Sequence, residues 1–428
     1  MSSAMTTIPL PYGGEHLPLA VPTRNLLAVV EPAEVPPVAD PGAALLQAVR
    51  APVGSPPLRE LVEPGQRVVV IVDDNTRPTP QHQVLPALLR EIEDAAGVQI
   101  EILIACGTHR PMTLPEIDAK VGSQVACSYP VINHQWADEA ELVDLGTTPK
   151  GTPIQVNRRV VEADLVVAVG GTVPHCLAGW AGGAKIIQPG VCGHETTNAT
   201  HALNMVSPFP HLGRLDNPMR QEIDEIVKRV NLHFMINCVL DRHARIVNIV
   251  AGEPHASHRR SVELARAVWE VPVPGLGDIV VVSSYPADMD YWQGIKGLFA
   301  AELIVKRGGD IILATPCPEG ISATREHAEG MAAVAGVPSR DIRHVGARLG
   351  ITDLAALNTA TVAARVNELA YVSVYSRCLS DEDLRVLGHA RAESLEAGLQ
   401  RAFARQGPDA QVIVITHGGE TYPALAGD

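Results

Sequence analysis

Several short stretches of this chain carry side chains that could do chemistry together. Asp73-Asp74-Asn75-Thr76-Arg77-Pro78 sets a pair of acids beside a guanidinium, and Cys106-Gly107-Thr108-His109-Arg110 offers a histidine. Gly170-Gly171-Thr172-Val173-Pro174-His175 offers a second histidine. Lys185 lies in a turn of small residues, and His201 follows it. Further on, Trp292 and Gln293 precede Lys296, with Gln293 and Lys296 three apart and so on one helical face. Arg77 and Lys296 could hold a carboxylate from two sides. His109 and His175, if neutral, could take a proton from either face of a small substrate. A third imidazole, His201, could ligate a metal. Each feature alone has an ordinary explanation: Asp or Thr before Arg-Pro is often a helix cap, and a loop histidine is usually structural. Their recurrence after successive strand-like runs is what marks a site.

Those runs form the scaffold. Residues 67–72, 99–105, 165–169, 234–240 and 246–250 are β-branched and of strand length, while 83–96, 220–230 and 257–269 have helical spacing. The rhythm restarts with strands at 278–283, 310–314, 370–374 and 411–415 and helices at 295–306, 323–335 and 392–405. This predicts an α/β fold of two domains, each a mostly parallel sheet flanked by helices, with the active site in the cleft between them. The Pro/Gly stretch EVPVPGLG at 270–277 sets the expected boundary, giving domains 1–272 and 273–428. The first sixty residues are Pro-rich and read as an arm with a short strand at 26–30. In open parallel sheets ligands gather at the carboxyl ends of strands, where these loops begin.

Composition bounds the partners. The chain has 428 residues, and 34 Lys+Arg against 48 Asp+Glu leave a formal charge of −14. That balance argues against nucleic acid or an anionic membrane as partner. No apolar run approaches the roughly 20 residues of a membrane span, and the first residues lack a secretory pattern. Seven cysteines without a C-x-x-C fit a reduced, cytoplasmic setting and argue against a cysteine zinc site. Two suggestive motifs fail. The loop from Gly179 to Lys185 is followed by Ile186 where a phosphate loop needs a hydroxyl, and His194-Glu195-Thr196-Thr197-Asn198 lacks the second histidine of a zincin helix. No G-x-G-x-x-G follows a strand, and there is no G-x-S-x-G.

The order D-x-T-R-P, G-T-H, P-H-x(9)-K and a histidine sixteen residues after that lysine resembles the lactate racemase family, whose members carry a nickel-pincer nucleotide. Here these positions are Asp74 to Pro78, Gly107 to His109, His175, Lys185 and His201, with Tyr285 to Asp288, Gln293 and Lys296 fitting downstream. The resemblance implies that the cofactor, a pyridinium-3-thioamide-5-thiocarboxylic acid mononucleotide with nickel, is bound by the N-terminal domain and attached covalently to Lys185. His201 would ligate the nickel. Asp74 and Thr76 would help hold the nucleotide, Asp74 at the ribose, and backbone near Gly171 would meet the phosphate. His109 and His175 would be paired acid–bases, Arg77 and Lys296 would bind the substrate carboxylate, and Gln293 and Trp292 would line the substrate. Other proteins would be needed to mature the cofactor.

The implied reaction is physically reasonable. The Cα–H of a 2-hydroxy acid is a very weak acid, because removing that proton beside a carboxylate builds a dianion. Removing it as hydride, while a histidine takes the hydroxyl proton, gives a neutral ketone, and a bound cofactor can carry the hydride. The chain departs from lactate racemase where an expected Tyr is Trp292 and where no Trp follows it. A larger 2-hydroxy acid, malate-like or polyhydroxylated, therefore suits the pocket as well as lactate does. Two other readings use the same residues. One is a zinc or other divalent-metal enzyme without a Lys185 adduct, and the other is a non-catalytic protein that binds a small acid.

Overall fold

A computed structural model describes residues 4–94, 97–205 and 210–426. It contains two six-stranded sheets with helices on their faces. In the first the strand order is Ile246–Gly252, Phe234–Leu240, Leu165–Thr172, Arg67–Asp73, Gln99–Ala105, Val131–Asn133. All its neighbours are parallel except the pair of Phe234–Leu240 with Ile246–Gly252. The central strands are Val/Ile runs buried on both faces, which is what a sheet covered by helices on each side requires.

The second sheet runs Ala390–Arg391, Tyr371–Tyr375, Val305–Ala314, Gly277–Ser283, Val412–Ile415, Leu26–Val30 and is parallel throughout. The strand Leu26–Val30 thus lies at the edge of the C-terminal sheet. The hairpin of Met5–Tyr12 with Glu15–Pro22 follows it there, because Ile8, Leu10 and Tyr12 bury against Ile279 and Val281. This corrects the expected grouping of residues 1–272: the first thirty belong with the C-terminal sheet. The stretch at 270–277 is not a bare linker either, since Glu270–Val273 pairs in parallel with Tyr422–Leu425. The expected helix 295–306 stops at Glu302, and the chain turns into a strand at Val305.

Each sheet has a point where the chain reverses its direction of winding. In the first, Arg67–Asp73 is followed outward on one side by Gln99–Ala105 and on the other by Leu165–Thr172. In the second, Gly277–Ser283 lies between Val305–Ala314 and Val412–Ile415. At such points adjacent loops splay apart and leave a crevice for a ligand. A helix not foreseen in the sequence, Leu354–Leu369, packs on the helix His194–Met205 and bridges the two halves. Among the described residues no helix is long and apolar enough to cross a membrane.

Candidate active site

The two crevices open onto one cavity. Asp74, Arg77, His109, Gly171, His175, Lys185, His201, Trp292, Gln293 and Lys296 all line it, so of the residues given a catalytic, binding or metal role from sequence only Thr76 stands back. Thr76 touches the site through Asp74, whose Oδ1 accepts from the Thr76 hydroxyl at 2.6 Å and from its backbone N–H at 3.2 Å.

The other oxygen of Asp74 lies 2.7 Å from His109 Nδ1. Burial of Asp74 would raise its pKa, but His109, Arg77 and Thr76 outweigh it and hold the carboxyl well below the usual range. An ionised carboxylate can only accept, so His109 carries a proton on Nδ1, and in its neutral form it presents a bare Nε2. That lone pair faces the Gln293 amide nitrogen at 3.1 Å. Gln293 Oε1 in turn accepts from Lys296 Nζ at 2.6 Å. Gln293 is held in place because Asp290 caps its helical turn through Oδ1, 2.9 Å from the Gln293 backbone nitrogen.

His175 is arranged the other way round. Its Nδ1 accepts the backbone N–H of Leu177 and of Ala178, each at 3.2 Å. The neutral ring therefore carries its proton on Nε2. Burial, then the nearby charges of Lys185, Arg77 and Lys296, keep its pKa well below 6.5, so this ring is neutral at physiological pH.

The cavity is rich in cations. Burial first, then Arg77 and Lys296, push the Lys185 amine well below 10.5, in the direction that favours a nucleophilic nitrogen. Lys296 falls to about 7 through burial and the repulsion of Arg77. Glu420, on the loop after Val412–Ile415, rises to about 7 through burial, against the pull of Lys296 and Arg77. Sequence reasoning missed Glu420, and it singled out the loop of Asp73 without giving Asp73 a role of its own. Asp73 joins the first and third loops, reaching Thr79 Oγ1 at 2.5 Å, Gln81 Nε2 at 2.9 Å, Lys120 Nζ at 2.9 Å and Gly171 N at 3.1 Å. A doublet of acids ending a buried strand was the signal available for Asp73.

His201 donates from Nδ1 to the Thr197 carbonyl at 2.8 Å, leaving Nε2 bare, and burial lowers its pKa to about 4. A neutral imidazole with a free Nε2 is the form that ligates a metal. Among the described residues no group of three or more His, Cys, Asp or Glu could hold a metal ion. The nearby turn has no room for larger residues: a Cβ on Gly183, whose φ is +58°, would lie 2.6 Å from the ring of His258. In the failed zincin motif Asn198 bonds to Thr352 O and the backbone nitrogen of Leu354, tying the two bridging helices together.

Comparison with known proteins adds the following. Residues 12–213 match the lactate racemase N-terminal domain, and residues 274–420 match the lactate racemase C-terminal domain. The lactate racemase of Thermoanaerobacterium thermosaccharolyticum is 32% identical over 323 residues, spanning 74% of this chain and 76% of that protein. That of Lactiplantibacillus plantarum is 31% identical over 373 residues, spanning 86% and 87%. The structure of the Thermoanaerobacterium lactate racemase apoprotein superposes with a TM-score of 0.88 at 28% identity, covering 98% of this chain and all of that one. A Thermotoga maritima protein shares the fold, with a TM-score of 0.72 at 19% identity over 91% of this chain and 99% of that one.

Proposed function

The chain belongs to the lactate racemase family, and from that premise we propose that it is an isomerase that racemises or epimerises a 2-hydroxy acid with a nickel-pincer nucleotide held on Lys185. The observation that carries this reading is the pair of imidazoles, His109 and His175, facing one cation-rich cavity in complementary hydrogen-bonding states.

The chain's residues fit the implied cofactor. Lys185 offers a buried amine for the covalent link, with a pKa lowered by burial and by Arg77 and Lys296. His201 offers one bare imidazole nitrogen, which suits a metal whose remaining ligands belong to the nucleotide. Backbone near Gly171 would meet the phosphate. Asp74 would contact the ribose as well as hold His109, and its oxygens are already engaged by Thr76 and His109. When bound, the cofactor supplies an electron-poor centre that accepts and returns a hydride. Other proteins would build it.

The chain does the rest. Arg77 and Lys296 grip the substrate carboxylate, the guanidinium with two parallel hydrogen bonds. Gln293 turns from His109 to the substrate and orients it. His109 Nε2 takes the hydroxyl proton, and Asp74 stabilises the imidazolium that results. His175 presents an N–H to the oxygen on the opposite face. To take a proton there itself, it must move its own proton to Nδ1 and release two backbone contacts. The free cysteines, five of them buried, suit a reducing cytoplasm.

The test follows the label at Cα. Matured enzyme should racemise Cα-deuterated substrate with the label retained, and unlabelled substrate in heavy water should gain almost none. Loss of label in step with racemisation would show Cα proton abstraction instead. Intact mass should show an adduct on matured wild type that is absent from Lys185→Ala.

A further inference from the structure

Two polar side chains, Asn358 in the wall of the active-site cavity and His327 in a side cavity next to it, each carry one buried atom with no hydrogen-bond partner among the described residues. Asn358 lines the cavity and is 2% exposed, yet its Oδ1 accepts no hydrogen bond. His327 is 1% exposed, and its Nε2 likewise has none. Leaving such atoms buried and unpaired is costly, so each calls for a partner that a ligand can supply.

One junction sets both groups. Asp353 caps the helix Leu354–Leu369 with Oδ1, 2.9 Å from Ala356 N, and reaches His327 Nδ1 with Oδ2 at 2.5 Å. His327 donates from Nδ1 to the carboxylate, and in the neutral ring Nε2 is then an acceptor. His327 stacks flat on Trp292, with centroids 4.1 Å apart and planes 5° from parallel. Trp292, Gln293 and His109 wall both the main cavity and a side cavity that His327 lines. That side cavity measures about 20 Å³, room for roughly one water-sized group.

We infer that Asn358 and His327 recognise a hydroxylated tail on the substrate, which is thus a 2,3-dihydroxy or longer polyhydroxy acid. This rests on the racemase reading for the reacting end and extends it to the other end. An aliphatic tail would leave both atoms unpaired. A second carboxylate would find no spare cation to offset its charge: Arg77 and Lys296 serve the first carboxylate, Lys185 serves the cofactor, and Arg110 is shared between Glu116 and Glu319, each at 2.7 Å. A hydroxyl donates to a bare Nε2 or amide oxygen and carries no charge.

The test compares kcat/KM of matured enzyme on 2,3-dihydroxybutanoate, 2-hydroxybutanoate and malate. Wild type should prefer the dihydroxy acid by tenfold or more, because a site built for a hydroxyl rejects the analogue lacking it. Asn358→Leu removes the amide, and His327→Phe keeps the stack on Trp292 but removes the acceptor. Each should lower that preference ratio about tenfold, while His327→Gln, which restores an acceptor, should recover part of it. Thermal melts confirm that the variants fold. No preference in wild type, a preference for malate, or a ratio unchanged in both variants would overturn the inference. If no 2-hydroxy acid is turned over, the racemase reading fails, and ligand-detected NMR on the purified chain decides the subsite separately. Binding of the dihydroxy acid but not its deoxy analogue, lost in Asn358→Leu, would sustain it; equal binding of the two would end it.

Discussion

The loop that carries His109 and the loop that carries His175 present the same side chain to the same cavity in opposite states. Behind His109 stands Asp74, which can only accept, so the ring faces the cavity with a lone pair. Behind His175 stand two backbone N–H groups, which can only donate, so the ring faces the cavity with an N–H. One ring is set to take a proton and the other to offer a hydrogen bond. Residue type decides neither role; the atom behind Nδ1 does. Since kcat/KM for the two enantiomers of a simple racemase must be equal at equilibrium, this asymmetry would show in kcat and KM taken separately.

The sharpest way to break the comparison is Asp74→Asn. An amide nitrogen behind His109 would donate to Nδ1 and move the ring proton to Nε2, making both rings donors. Loss of a proton acceptor held in the right tautomer costs about 10⁴ in kcat in a comparable His–Asp pair. Rates near wild type would show that Asp74 does not set the state of His109. His175 gives a smaller contrast. His175→Ala should lower kcat by about 10²–10³, whereas His175→Gln, which keeps an N–H donor, should retain roughly tenfold more. Equal loss in the two variants would mean that His175 acts as a base.

Arg77→Lys asks whether the carboxylate is gripped by a fork or by a point charge. The expected loss is about ten- to a hundredfold in kcat/KM, mostly in KM. The smallest effect concerns pH. Lys296, lowered to about 7, is charged below that pH and loses its charge above it. The grip on carboxylate should therefore weaken as pH rises, with kcat/KM falling up to about tenfold per pH unit beyond 7. Lys296→Arg should hold the profile level to higher pH. Glu420→Gln removes an anion that favours charged Lys296, so it should move the alkaline limb down by less than about one unit. A profile unmoved by both variants would detach Lys296 from substrate binding.

Much of the site was legible because its residues follow strands. A run of buried β-branched residues announces a central parallel strand, and the loop after it lies at the ligand-binding end whatever the rest of the chain does. That is why the loops of Asp74, His109 and His175 stood out together. The helix Leu354–Leu369 did not, since its Ala and Thr residues are buried nearly all round and leave no apolar stripe to read. Its Asn358 was hidden for the same reason. Glu420 gave no signal, being one acid in a C-terminal loop until the sheet order brought that loop beside Lys296.

The sequence by itself determined the α/β architecture, the loops that carry the chemistry and the family, because strand burial and motif spacing are local properties of the chain. The tertiary structure alone decided three further things. It placed residues 26–30 on the C-terminal sheet, since a short edge strand carries no mark of the partner it will find. It joined the two crevices into one cavity, which depends on the order in which strands pack rather than the order in which they are made. It also set the proton positions on His109, His175, His201 and His327, because an imidazole's tautomer follows the hydrogen-bonding group behind it. For His109 that group is Asp74, thirty-five residues away, and for His327 it is Asp353, twenty-six away.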